Sequence, residues 1–293
     1  MKKLLATILP ALFLMVSCKP IDPVREMEEY TDVVVYSHDV YTQSGYASDC
    51  ASLKVKGDYS TGYFLLELND FKLAENMPLK SSTVGNLIQY LDENKNSSNE
   101  IIGYNYTYFK TEGIASYTGD LQVIDLKFGW LSSIFWGSFI SDAAQYKVWF
   151  VPRKVQMYAN RNTIINLRGD SIAEKAIRPR FDLEFDVDKQ TASISASAVT
   201  LPVSTSTGEQ FDIRSMTWPS LPLVYNEKGF TIDVASFHPT TDGVSDKYII
   251  TDFRCNFEVS YDGTRTIDYT LTRVADNVAI HVTSQFDYFR QNI

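Results

Sequence analysis

The chain has 293 residues, 44% of them hydrophobic, with 36 acidic against 27 basic side chains. That much apolar material can bury a core, which excludes a disordered chain, and the length suits one or two domains. The net charge of −9 comes with no stripe of Lys or Arg, so a nucleic-acid surface, which needs clustered cations, is excluded.

At the N-terminus, Lys2 and Lys3 precede an uncharged, mostly apolar run from Leu4 to Val16. The run is shorter than the ~20 residues of a membrane-crossing helix and has the proportions of a signal-peptide core. It ends in Met15, Val16, Ser17 and Cys18. This order of apolar, small, then cysteine resembles the lipobox of bacterial lipoproteins. The resemblance is confined to the stretch through Pro20. It implies removal of residues 1–17, a diacylglyceryl thioether on Cys18 and an acyl group on its new amino terminus. The membrane, reached through lipid on Cys18, is then the first expected partner. Lys19 stands where an Asp would retain a lipoprotein in the inner membrane, which implies the outer membrane. Loss of Lys2 and Lys3 leaves 25 basic against 36 acidic side chains, a formal charge of −11. Residues 18–30 are rich in charge and contain Pro20 and Pro23, the composition of an extended tether.

From there the chain reads as short strands. The sequence predicts strands in DVVVYSH (32–38), YFLLELNDFKL (63–73), GYNYTYFKTEG (103–113), DLQVIDLKF (120–128) and QYKVWFVP (145–152). β-Branched and aromatic residues dominate them, as pleated surfaces favour. Tyr104, Tyr106 and Tyr108 alternate with polar residues and share one strand face. One segment, SSTVGNLIQYLDENK, is predicted helical: Val84, Leu87, Ile88 and Leu91 recur at helical spacing, with Ser81 or Ser82 as a cap. FGWLSSIFWGSF (128–139) carries Trp130, Phe135 and Trp136 without a charge. The polar stretch Arg161–Arg180 is predicted to separate two units, and the later strands repeat the earlier order loosely. FDLEFDVDKQT (181–191) alternates perfectly, so Asp182, Glu184, Asp186 and Asp188 share a face. The Asp262–Gly263 pair marks a hairpin.

Chemical motifs are few. Carboxylates two apart on a strand lie about 6.5 Å apart, so one Ca²⁺ ion would reach at most two of the Asp182–Asp188 set; a solvated face is the simpler reading. No nucleotide-binding glycine motif follows a strand, and nothing points to a metal or other cofactor. The three histidines, His38, His238 and His281, are isolated and read as structural or surface residues. Cys50 and Cys255 are expected as separately buried thiols. The tripeptide Arg168–Gly169–Asp170 matches an integrin-binding sequence, but so short a match carries no weight.

These features predict an all-β protein: two tandem antiparallel β-sandwich or barrel-like domains (31–165 and 175–293) with one short helix. The lipobox, Lys19 and the Tyr- and Asp-rich strands together resemble the outer-membrane lipoproteins of Bacteroides-like gut bacteria. The expected function is non-catalytic binding of a glycan or protein, with Trp130, Phe135, Trp136, Tyr104, Tyr106 and Tyr108 as the aromatic surface. Two alternatives stay open. One is a glycoside hydrolase using a carboxylate pair. The other is a pilus-type subunit trimmed near Arg25.

Overall fold

The computed structural model describes residues 24–286, except residues 59, 120, 132–133, 142–144, 167–170, 173–178, 205–206 and 260–262. Among the described residues every regular element is a strand, so the chain is all-β. Cys18 and its tether to Pro23, and the Arg168–Gly169–Asp170 tripeptide, lie outside the described residues.

The first sheet holds β1 (Val24–Tyr30), β2 (Val33–Asp39), β3 (Ser44–Cys50), β4 (Ser52–Asp58), β5 (Tyr63–Phe71), β6 (Lys80–Lys95), β7 (Ile101–Gly119), β8 (Val123–Leu131), β9 (Ile134–Ser141) and β10 (Tyr146–Pro152). Its order is β1-β4-β5-β6-β7-β8-β9-β10-β2-β3. The strand that ends the path, β3, runs through Ala51 directly into β4 near its start. The Ala51 N–H donates to the Asn69 carbonyl at 2.8 Å, and Ser48 Oγ accepts from the Lys72 N–H at 2.9 Å. The sheet therefore curls back on itself, and its concave face is filled by Val33, Val35, Leu66, Leu68, Phe109, Phe128, Val148 and Phe150.

The chain changes sheets at Arg153, ahead of the Arg161–Arg180 segment expected to separate the two units. The second sheet takes β11 (Lys154–Asn166), β12 (Ser171–Ile172), β13 (Arg180–Asp186) and β14 (Thr191–Ala196). A small two-stranded sheet follows, β15 (Val199–Pro202) with β16 (Gln210–Ile213). Then come β17 (Met216–Thr217), β18 (Leu221–Pro222), β19 (Val224–Asn226), β20 (Gly229–Phe237), β21 (Thr240–Thr241), β22 (Tyr248–Glu258), β23 (Arg265–Arg273) and β24 (Val278–Phe286). The order is β19-β20-β22-β23-β24-β11-β13-β14-β17-β21. Both sheets share one device: the last strand of a meander, β10 or β24, pairs antiparallel with an early strand of its half, β2 or β11.

The segment expected to be the helix is strand β6, and a β-bulge is the source of its helix-like spacing. Asn86 has φ +58°, and the pairing register slips between Gly85 and Leu87. The extra residue brings Val84 and Leu87, three apart, onto the same core face; they are 0% and 1% exposed. A helix-like spacing thus arises inside a strand. The same device recurs at Asp70 between Leu68 and Phe71, at Asp125 between Val123 and Leu126, and at Asp252 between Ile250 and Phe253. Each stretch reads apolar, any residue, Asp or Asn, apolar. Asp and Asn tolerate the left-handed conformation that the bulge requires.

The two sheets share a core. Strand β2 is buried on both faces: Val33 and Val35 point into the curled sheet, while Val34 and Tyr36 join Trp136, Trp149 and Val151 against Val155, Phe185 and Phe230 of the second sheet. Tyr36 stacks between Trp149 and Tyr225, at centroid distances of 5.1 and 4.9 Å, and its hydroxyl donates to the Asn226 carbonyl. Arg153 pins the crossing, donating to Asp32 at 2.8 Å, to Asp49 and to the Phe185 carbonyl at 3.2 Å.

Candidate functional site

The predicted aromatic residues separate in space. The FGWLSSIFWGSF segment forms the β8–β9 hairpin, with Phe128 and Trp130 on β8 and Phe135 and Trp136 on β9. Phe135 fills the curled sheet and Trp136 the core between the sheets, at 2% and 4% exposure. This corrects the expected surface for these two residues. The two faces of β9 meet different cores, so Phe135, Trp136 and Phe139 are all buried. The glycines of the segment are seats for rings: a Cβ at Gly129 would collide with the Trp136 indole, and one at Gly137 with the Phe150 ring. The Trp130 side chain lies outside the described residues.

The tyrosine row lies on β7. The side chains of Tyr104 and Tyr106 are outside the described residues. Tyr108 is half-buried and stacks on Tyr90 of β6 at 5.3 Å, with Lys110 Nζ 4.3 Å from the Tyr90 ring centre. Cross-strand packing therefore accounts for Tyr108.

A cleft of about 510 Å³ opens where β3 meets the second sheet. Gly45 to Asp49 of β3 form one wall, Asp70, Lys72, Glu75 and Leu79 another, and Val187, Asp188, Gln190 and Tyr225 the third. Asp49, Asp70, Glu75 and Asp188 are exposed at its rim, and Tyr46 is half-buried. Burial first, and then the carboxylates of Glu75, Asp188 and Asp49, push the Tyr46 phenol above its usual range. Three separate stretches of chain thus turn negative charge toward one ring.

Gln190 is the hinge of this site. It sits in the left-handed conformation, φ +53°, at the end of the β13–β14 turn. Its Nε2 donates to the Ala47 carbonyl at 2.9 Å, and its Oε1 accepts from the Ala47 N–H at 3.2 Å. The Tyr225 hydroxyl donates to the same Oε1 at 2.7 Å. Burial keeps the Tyr225 phenol a neutral donor far beyond physiological pH. Nothing in the sequence marks Gln190 or this cleft, because its walls come from four distant stretches.

Elsewhere the chemistry is structural. Asp182 pairs with Arg180 at 2.8 Å, Glu184 with Lys154 at 3.2 Å and Asp186 with Lys189 at 2.7 Å, so the alternating carboxylates form a solvated, salt-bridged face. Only Asp188 reaches the cleft. His281 Nε2 lies 3.4 Å from Asp268 and its Nδ1 3.2 Å from Thr270 Oγ1, across the β23–β24 pair. His238 Nδ1 meets the Tyr248 carbonyl at 3.0 Å. His38 is 2% exposed on β2. Cys50 and Cys255 are free thiols in different cores; burial pushes them up to about 11 and about 12. Among the described residues no group of three or more His, Cys, Asp or Glu is arranged to hold a metal ion.

No protein-family model matches the chain, and no curated protein matches it. Among solved structures, the chain is similar to a double mutant of the vaccine antigen transferrin-binding protein B from Haemophilus parasuis Hp5. The match has 8% identity and a TM-score of 0.23, and covers 92% of this chain and 76% of that one.

Proposed function

We propose that the chain is an outer-membrane lipoprotein, anchored through lipid on Cys18, that binds a glycan or protein ligand without chemistry of its own. The observation that carries the binding reading is the cleft beside β3. A concave site of this size with a few convergent polar groups is the usual form of a ligand site, and the residues 45–49, 70–79, 187–190 and 225 that line it include tyrosines able to stack on a ligand and carboxylates able to accept from it. The buried aromatic pair Phe135 and Trp136 has no part in it.

The cleft contains carboxylates beside aromatic rings, which is also the furniture of a glycoside hydrolase. A general acid of that kind needs an enclosed carboxyl group to hold its proton near neutral pH. Asp49, Asp70, Glu75 and Asp188 are all exposed, and Asp49 is already paired with Arg153. The geometry favours binding.

The test is a glycan-array and pull-down screen of the mature protein in detergent, beside a Glu75→Gln, Asp188→Asn double variant. Both side chains are exposed, so the thermal midpoint is expected to hold. Loss of at least tenfold in affinity for a ligand of the parent supports the reading. Cleavage of a polysaccharide by the parent, abolished in the variant, replaces it with the hydrolase. For the anchor, labelled palmitate is expected in the parent and absent in Cys18→Ser; equal labelling of the two refutes lipidation at this residue.

A further inference from the structure

The edge of β3 carries more information than its side chains. β3 pairs with β2 through an unbroken register from Val33↔Cys50 to Asp39↔Ser44. In an antiparallel pair, successive residues point their peptide groups alternately toward the partner and away from it. Both peptide groups of Ala47 point away, since they meet Gln190. By alternation those of Gly45 and Asp49 also point away, along the same edge. Further on, Ala51 continues the series and is closed by the Asn69 carbonyl at 2.8 Å. The edge is thus satisfied at Ala47 and Ala51, and Gly45, Ala47 and Asp49 line the cleft.

The bond that closes Ala47 has the form of a strand. A primary amide that donates to the carbonyl and accepts from the N–H of the same residue reproduces one rung of a β-ladder. Gln190 holds the place of a neighbouring peptide unit without supplying the rest of one. An open edge of this kind pairs readily with another chain. Here it is recessed in a cleft about as long as the five residues Gly45–Asp49, roughly 14 Å at the usual strand rise.

We propose, building on the binding reading above, that the ligand is an extended, cationic segment of a partner protein that enters the cleft as an added strand on β3. Main-chain bonds at Gly45, Ala47 and Asp49 supply a ladder, as in other cases of strand addition. Asp70, Glu75 and Asp188 surround it, with Asp49 already held by Arg153, against the single lysine Lys72 of the lining, so basic side chains on the incoming strand meet complementary charge. The strand displaces the Gln190 amide from Ala47 and replaces the two bonds that it makes there.

The test uses the full mature protein in detergent and an end-blocked octapeptide of alternating lysine and threonine. A second peptide of the same composition carries N-methyl groups on alternate amides, which removes the ladder donors and keeps the charge. Binding is read by fluorescence anisotropy, and amide hydrogen exchange is read at Gly45 and Asp49. The unmethylated peptide is expected to bind at least tenfold more tightly and to slow exchange at both residues. Gln190→Ala, which frees the edge, is expected to bind it as tightly as the parent or more so. Equal binding of the two peptides with unchanged exchange overturns strand addition in favour of charge attraction alone. Failure of both peptides to bind also overturns it. If the Glu75→Gln, Asp188→Asn variant has meanwhile lost a ligand found in the screen, the cleft remains a binding site and only its occupant is wrong.

Discussion

Two aromatic-rich regions of one sheet meet different fates. At β9–β10, Trp136, Trp149 and their neighbours pack against the second sheet while Phe135, Phe139 and Phe150 fill the first. At β6–β7, the strands run on past Leu87 and before Thr107 with only each other as described partners, leaving Leu91, Ile101 and Ile102 at 48, 50 and 63% exposure. Both stretches are rich in rings. What separates them is cover: β9–β10 lies under the second sheet, and the β6–β7 ribbon reaches beyond it. Aromatic content by itself therefore does not locate a binding surface in this chain.

The contrast sets a scale of expected effects. Phe135→Ala and Trp136→Ala each empty a ring-sized volume in a closed core and are expected to cost about 3–5 kcal/mol, measured by urea unfolding. Loss of less than ~1 kcal/mol at either would return that residue to the surface. Next come the bulges. A β-branched residue resists the left-handed conformation, so Asp125→Val and Asp252→Val are expected to cost about 1–3 kcal/mol, while Asn86→Gly is expected to be nearly neutral in the same assay. Least affected is the ribbon, where Tyr90→Ala removes a half-exposed stack and is expected to cost about 1 kcal/mol or less.

The two buried thiols sharpen the comparison through pH. Burial raises Cys50 to about 11 and Cys255 to about 12, from an ordinary value near 9. The unfolded chain releases these protons first, so their contribution to stability is complete below about pH 9 and declines as pH rises toward 11 and 12. Stability curves of Cys50→Ala and Cys255→Ala are expected to flatten in that window. In the folded parent at pH 8, a thiol reagent is expected to label neither residue; rapid labelling of Cys255 would place it outside the core.

Much of the strand content was legible because alternation of apolar and polar residues survives in the sequence. FDLEFDVDKQT is the clearest case: Phe181, Leu183 and Phe185 are buried, and Asp182, Glu184 and Asp186 pair outward. Strand β6 was illegible because Asn86 resets the alternation and counterfeits a helical period. The repeated apolar, any, Asp or Asn, apolar pattern at Leu68–Phe71, Val84–Leu87, Val123–Leu126 and Ile250–Phe253 is the local signal that marks such a bulge in this chain. The aromatic run at Phe128–Phe139 misled for another reason: a sequence shows that a face is apolar, not which partner covers it. The cleft was beyond reading altogether, since Gln190 and Ala47 are 143 positions apart and only the packing of two sheets brings them together.

The most direct test sets the cleft against the ribbon. A ligand recovered with the parent protein is titrated against Glu75→Gln, Asp188→Asn and against Tyr90→Ala, Tyr108→Ala, with thermal midpoints measured alongside. Binding is expected to fall at least tenfold in the cleft variant and to persist in the ribbon variant. The reverse pattern would contradict the account and move the binding surface to the exposed β6–β7 arm.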